Sequence, residues 1–231
     1  MAKPKAKEYR TPKGIAIFPK LNEPDYKYNK GGEWTARLKF DIDNDEHRAF
    51  ADQINAFHDE CYEKVIAEAV EAGKYKNATV AKKKIAKADS PVRFLEDEDA
   101  EPTNEFTVNF KQTYNIVYDN GNKSFQKIIK IYDAAGTRLK NVPPIWGGSG
   151  LKVIFTVAEW GNEKNGGGAS FRLAKVQIID LVNSDNSDDS GESGFDAEEG
   201  YEDDGQFDAP TGAPAAEDGD PGADDDGTGD F

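Results

Sequence analysis

Between Trp34 and Ile42 the chain alternates, with Trp34, Ala36, Leu38, Phe40 and Ile42 apolar and Thr35, Arg37, Lys39 and Asp41 polar. A period of two puts one set on each face of a half-buried β-strand. GIAIFP, from Gly14 to Pro19, predicts a shorter strand before it, and the YKYNKGG stretch between them predicts a polar loop. From Asp43 the period changes. Phe50, Ile54, Phe57, Cys61 and Val65 recur at spacings of three and four in a segment rich in Ala and Glu, the pattern of an amphipathic helix. Asp43 or Asn44 suits its N-cap, Asp45 and Glu46 suit the positive end of its dipole, and Gly73 suits its stop.

Beyond the helix, residues 74–91 are polar and basic and EDEDAE (Glu96 to Glu101) is acidic, with only VRFL between them. Both read as exposed connections. Four more strands are predicted at 105–118, 124–132, 151–160 and 169–182, the first two joined at the Asn-Gly step of DNGN, a hairpin signal. In the longest, Phe106, Val108, Phe110, Tyr114, Ile116 and Tyr118 share one face. The Gly147–Gly150 cluster predicts a sharp turn after Pro143 and Pro144, and lacks the Gly-Lys-Ser/Thr ending and following helix of a phosphate loop. Gly166–Gly168 predicts a flexible hairpin loop. One helix cannot cover both faces of a doubly wound sheet. The expected fold is therefore mainly β: an OB-fold-like antiparallel barrel of five or six strands, with one long helix after the second strand.

Charge divides the chain. The 231 residues carry a net −15, yet residues 183–231 hold 18 acids and no Lys or Arg, which leaves residues 1–182 at +3. The helix takes nine acids and two bases, so the remainder of those 182 residues stands at +10. The expected organisation is a folded domain over 1–182 and a disordered acidic tail over 183–231, whose composition is too polar to build a core. The N-terminus has no apolar stretch of signal-peptide length and no segment suffices to span a bilayer, so the expected location is the cytoplasm. One cysteine, Cys61, precludes an internal disulfide framework, and with only two histidines no metal or other cofactor is expected. His47 and His58, eleven residues apart on the helix, read as surface side chains, and consecutive carboxylates in EDEDAE read as solvated. No catalytic set emerges.

Basic and aromatic residues recur on the outward strand faces: Arg37 with Lys39, Lys111, Lys130 with Tyr132, Lys152 with Trp160, and Arg172. Single-stranded nucleic acid is bound by that combination, because cations neutralise phosphates while unpaired bases stack on flat rings without a sequence code. Tyr132 and Trp160 are the candidate stacking platforms, and Lys3, Lys5 and Lys7 can assist from the N-terminus. Strands in general turn Lys and Arg outward, so the pattern weighs more than any member. The tail, punctuated by Phe195, Tyr201, Phe207 and Phe231, resembles single-stranded DNA chemically. With a span of roughly 40 Å it can compete for the same groove. The rival reading is an acidic protein-interaction module or chaperone for basic proteins, for which a basic body has no use.

NEFTVNFKQTY, the VPPIWGGSGLKVIFTV segment and an acidic tail ending in GDF together resemble the bacteriophage single-stranded DNA-binding proteins of the short-tailed coliphage type. The resemblance covers most of the chain in the same order. It implies an OB-fold protein of the infected bacterial host's cytoplasm that coats template strands in replication and recombination. It also implies that Asp230 and Phe231 contact the replicative polymerase and helicase-primase, and that the chain forms a homodimer through tail exchange.

Overall fold

The computed structural model describes residues 6–118 and 123–182. Ten strands and two helices are placed there: β1 (Glu8–Arg10), β2 (Gly14–Asp25), β3 (Glu33–Asp41), α1 (Asp45–Glu71), α2 (Ala78–Lys84), β4 (Arg93–Glu96), β5 (Pro102–Thr113), β6 (Asn115–Tyr118), β7 (Lys123–Gln126), β8 (Lys130–Tyr132), β9 (Gly150–Asn162) and β10 (Gly166–Asp180). The five long strands close a ring in the order β9, β2, β3, β5, β10 and back to β9. This is the OB-like barrel that the alternation predicts. Its joints are antiparallel except where β10 meets β5 in parallel, and β8 also joins β10 in parallel. The short strands β1 and β4 extend it along β9 and β5.

The alternating apolar positions fill the ring. Leu38, Phe106, Val108, Phe110, Leu151, Val153, Phe155 and Leu173 are fully buried. Phe155 touches Phe110 and Phe171 at ring separations of 5.1 and 5.6 Å, so one aromatic cluster ties β5, β9 and β10.

α1 begins where the sequence predicts, with Asn44 Oδ1 accepting from the backbone N–H groups of Glu46 and His47 at 2.9 and 3.2 Å. It ends at Gly73, whose φ of +73° is the left-handed conformation that a helix stop of this kind requires. Its inner face rests on the β9–β10 hairpin. A Cβ built on Gly168 would stand 2.0 Å from Cε1 of His58, and one on Gly161 would stand 2.3 Å from Cγ1 of Val65. The two strands carry glycine where the helix presses closest. Gly166–Gly168 is thus buried strand, not the expected mobile loop, because Gly168 lies under α1 while Gly166 and Gly167 pack against residues 85–88. His58 is likewise interior, not a surface side chain. Its Nδ1 accepts from Ala169 N–H at 3.2 Å and its Nε2 lies 3.0 Å from Ala88 O, so the ring carries its proton on Nε2. His47 is half-buried, with Nδ1 accepting from Asp41 N–H at 3.1 Å.

One segment expected as a connection holds structure, as does the VRFL run after it. Residues 74–91 contain α2, capped by Asn77 Oδ1 on Val80 N–H at 3.0 Å. Its Ala81 and the following Ile85 are buried with Tyr62 and Ile66 of α1, and the Tyr62 hydroxyl donates to Ile85 O at 3.0 Å. VRFL becomes β4, with Val92 buried beside it. Two predicted strands are broken. Trp34 Nε1 donates to Lys127 O at 2.7 Å and Lys127 N–H donates to Tyr114 O at 2.7 Å, so the backbone at 114 and 127 is bonded outside a regular ladder.

Candidate nucleic-acid interface

The outer faces of β3, β4, β5 and β10 enclose an open groove of about 1050 Å³. Four strands each supply a cation to it. Arg37 comes from β3, Arg93 from β4, Lys111 from β5 and Arg172 from β10. The pairing register explains the convergence: Arg37 lies opposite Asn109, Arg93 opposite Thr107, and Arg172 opposite Lys111. Cross-strand neighbours on one face stand about 5 Å apart, so these charges are held together by the ladder itself.

The electrostatics are unbalanced. Lys111 Nζ has Glu33 at 3.1 Å, while Arg37, Arg93 and Arg172 have no carboxylate within ion-pair distance among the described residues. Glu33 is the one acid lining the groove among those residues. Lys127 stands beside Arg172, and its ammonium is held below the ordinary lysine pKa, first by burial and then by the guanidinium. Arg172 also feels the carboxylate of Glu159, beyond ion-pair distance, but the groove keeps an excess of positive charge, which favours an anionic ligand. The groove also contains apolar and polar contacts. Phe94 and Val117 are exposed in it, and Asn109 Oδ1 and Gln112 Oε1 are buried acceptors without a hydrogen-bond donor. The groove thus combines cations with apolar surface and free carbonyl oxygens.

Of the residues singled out in the sequence, Arg37, Lys111 and Arg172 share this groove. Lys39 ion-pairs with Glu105 at 2.7 Å and lines a separate hollow of about 380 Å³ with Lys13 and Lys152. Lys152 and Tyr132 line another hollow, of about 340 Å³, with Arg10 and Lys175. Lys130 is exposed and lies opposite Lys175 in the parallel β8–β10 pair. Trp160 is half-buried, its indole N–H donating to Ala169 O at 3.2 Å across the hairpin. One cleft therefore does not hold all eight. Lys7 lies over the Tyr9 ring at 5.0 Å. Lys3, Lys5, Asp230 and Phe231 lie outside the described residues.

Sequence reading missed Arg93 and Phe94 of the groove, and Lys127 next to Arg172. For the first two a signal exists, since VRFL is an apolar island with a basic residue inside it, between two charged stretches. Lys127 gives none. A single strand over 124–132 puts it on the face opposite Lys130, and only the break at 127–129 lets both side chains leave the core.

A closed five-stranded barrel with a cationic, partly apolar groove on its outer face is the design of a single-stranded nucleic-acid-binding protein. The chain belongs to the single-stranded DNA-binding protein family of bacteriophage T7, whose family model matches residues 14–181. Its function is to bind single-stranded DNA. Among solved structures, that of gp2.5, the single-stranded DNA-binding protein encoded by bacteriophage T7, matches with a TM-score of 0.62 at 21% identity, covering 79% of this chain and 96% of that one. The single-stranded DNA-binding protein of bacteriophage Enc34 in complex with ssDNA matches with a TM-score of 0.46 at 13% identity, covering 76% of this chain and 88% of that one. Comparison with curated proteins by sequence gave no match. No helix among the described residues is long and apolar enough to cross a membrane.

Proposed function

We propose that the DNA strand runs through the groove between β3, β4, β5 and β10, with its phosphates on Arg37, Arg93, Lys111, Lys127 and Arg172. The observation that carries this reading is the convergence of three arginines without acidic partners on one face. Several cations elsewhere are paired: Lys39 with Glu105, Lys175 with Glu8 and Lys13 with Asp180. Lys39, Lys130, Tyr132, Lys152 and Trp160 then serve as outlying contacts for a longer strand. Binding is sequence-tolerant and non-catalytic, and it needs no metal or cofactor. Its role is to coat template strands during phage replication and recombination in the host cytoplasm.

The acidic segment 183–231 competes with DNA for this cationic surface, a reading supported by its 18 acids and absence of Lys or Arg. Asp230 and Phe231 recruit the replicative polymerase and helicase-primase, and the chain dimerises by exchanging tails; both rest on the resemblance of the GDF ending. The test is a titration of single- against double-stranded oligonucleotide over a range of salt, with the full chain and with a chain ending at residue 182. Binding to single strands falls with a log-log slope of about −0.7 for each phosphate contacted. Tighter binding by the shorter chain supports competition, equal binding refutes it, and no salt-dependent binding by either refutes the groove.

A further inference from the structure

The cations of the groove continue beyond it. Arg172 lies opposite Lys111, Lys111 opposite Thr35, and Thr35 opposite Lys20, a transverse row over β10, β5, β3 and β2. Three strand spacings cover roughly 15 Å. At the β2 end the chain does something a barrel strand avoids. The inward positions of β2 run Gly14, Ala16, and then Phe18, which alternation would bury. Instead the β2–β3 register shifts between Ile17 and Lys20, Phe18 takes a φ of +44°, and its ring is 84% exposed. A bulky residue in the left-handed region is a strained outlier, and a bulge is a device for re-aiming a side chain. Here both act to turn an aromatic ring away from the core.

A second ring stands close by. Trp146 is 52% exposed, and a Cβ on its neighbour Gly147 would lie 3.8 Å from Phe18 N and from Ala16 O. The loop that carries it is pinned to β2 at both ends. Asn22 Nδ2 donates to Pro143 O at 2.8 Å and Asn22 Oδ1 accepts from Ile145 N–H at 2.9 Å, while Gly148 N–H donates to Ala16 O at 2.9 Å. Two rings held in solvent on fixed backbone cost little to order when a ligand arrives. Ile17, next to Phe18, lies opposite Arg37 of the groove.

We propose that Phe18 and Trp146 form a stacking platform for the bases of the single strand as it leaves the groove past Arg37 and Lys20. The proposal rests on the groove reading above and extends it to the face of β2. The row of Arg172, Lys111 and Lys20, with Thr35 between the last two, selects a polyanion with flat, apolar bases as the occupant, rather than a purely apolar protein surface.

The test uses the full chain and oligo(dT) of increasing length, read by affinity and by tryptophan fluorescence. Trp34 is buried, so stacking-dependent quenching comes from Trp146 and Trp160, and Trp146→Phe isolates the share of Trp146. Trp146→Ala lowers affinity by roughly 5- to 150-fold for oligonucleotides long enough to reach it. Trp146→Phe keeps the affinity and loses that share of the quenching. Phe18→Gly lowers affinity without lowering the melting temperature, because glycine accepts the φ of +44° and the ring has little burial to lose. Unchanged binding by Phe18→Gly and Trp146→Ala overturns the proposal; if Arg37→Gln and Arg172→Gln weaken binding in the same titration, the groove stands without it. Weakened binding by the aromatic variants alone supports the platform and sinks the groove instead. Unchanged DNA binding with loss of self-association in sedimentation assigns the patch to a second copy of the chain and overturns the proposal.

Discussion

Arg172 of β10 and Lys111 of β5 stand directly opposite each other in the parallel pair that closes the barrel. Like charges facing each other across strands are unfavourable unless an anion sits between them. Replacing Arg172 by Gln is therefore expected to weaken single-stranded DNA binding and to flatten the salt dependence by about 0.7 in log-log slope, as one phosphate contact is lost. Thermal unfolding of the same variant should show a melting temperature equal to or above that of the unaltered chain. A lower melting temperature would assign Arg172 a structural role instead.

Lys127, beside Arg172, is expected to give DNA binding a pH dependence. Burial and Arg172 hold its pKa below 10.5 in the folded chain, so it loses its proton at lower pH than an ordinary lysine. Phosphate favours the charged form, and binding therefore takes up a proton in the alkaline range. The sign for stability is opposite: the unfolded chain binds more protons than the folded one between the two pKa values, so stability from this group rises with pH across that window. Affinity for oligo(dT) should fall as pH rises through Lys127's folded pKa, and Lys127→Arg should remove that early fall, since guanidinium stays charged. Parallel pH profiles of the two proteins would settle it.

Gly168→Ala tests the seating of α1. The new methyl would lie 2.0 Å from the His58 ring, which must move and give up its contacts with Ala169 and Ala88. Overpacking plus lost hydrogen bonds should cost about 2 to 4 kcal/mol, measured by denaturant unfolding. His58→Ala combined with Gly168→Ala should recover part of the loss, the coupling expected of residues in contact.

Cys61 sits on the same helix face. Burial, and secondarily the charge of Glu159, push its thiol above the ordinary range, which suppresses the reactive thiolate. Alkylation at pH 8 should be slow in the native protein and fast in denaturant. Equal rates would place the thiol in solvent.

The barrel was readable because it rests on period-two runs such as Trp34 to Ile42 and Phe106 to Phe110, whose apolar sets needed only to close on each other. α1 was readable from Phe50, Ile54 and Cys61 for the same reason. α2 and β4 were hidden because each is short and buries few residues: Ala81 and Ile85 in one case, Val92 in the other. The site was half visible. Alternation identifies which side chains face outward, and so found Arg37, Lys111 and Arg172; it carries no information on where around the ring an outward residue falls. That depends on pairings such as Arg172 with Lys111, 61 positions apart, and on bulges such as the one at Phe18. Lys39, Lys130 and Lys152 have the same local pattern as the groove residues, yet Lys39 and Lys152 line other hollows and Lys130 stands on the β8 edge.

The contact between His58 and Gly168 has a consequence for how this sequence can change. A residue that needs a hydrogen at one position and a ring at the other cannot drift independently: any side chain at 168 demands a smaller partner at 58, and the reverse exchange opens a void beneath the helix. Among descendants of this chain the two sites should therefore be inherited as a pair. Anyone transplanting the barrel without its helix would expose Gly161 and Gly168 with nothing left to rest on them.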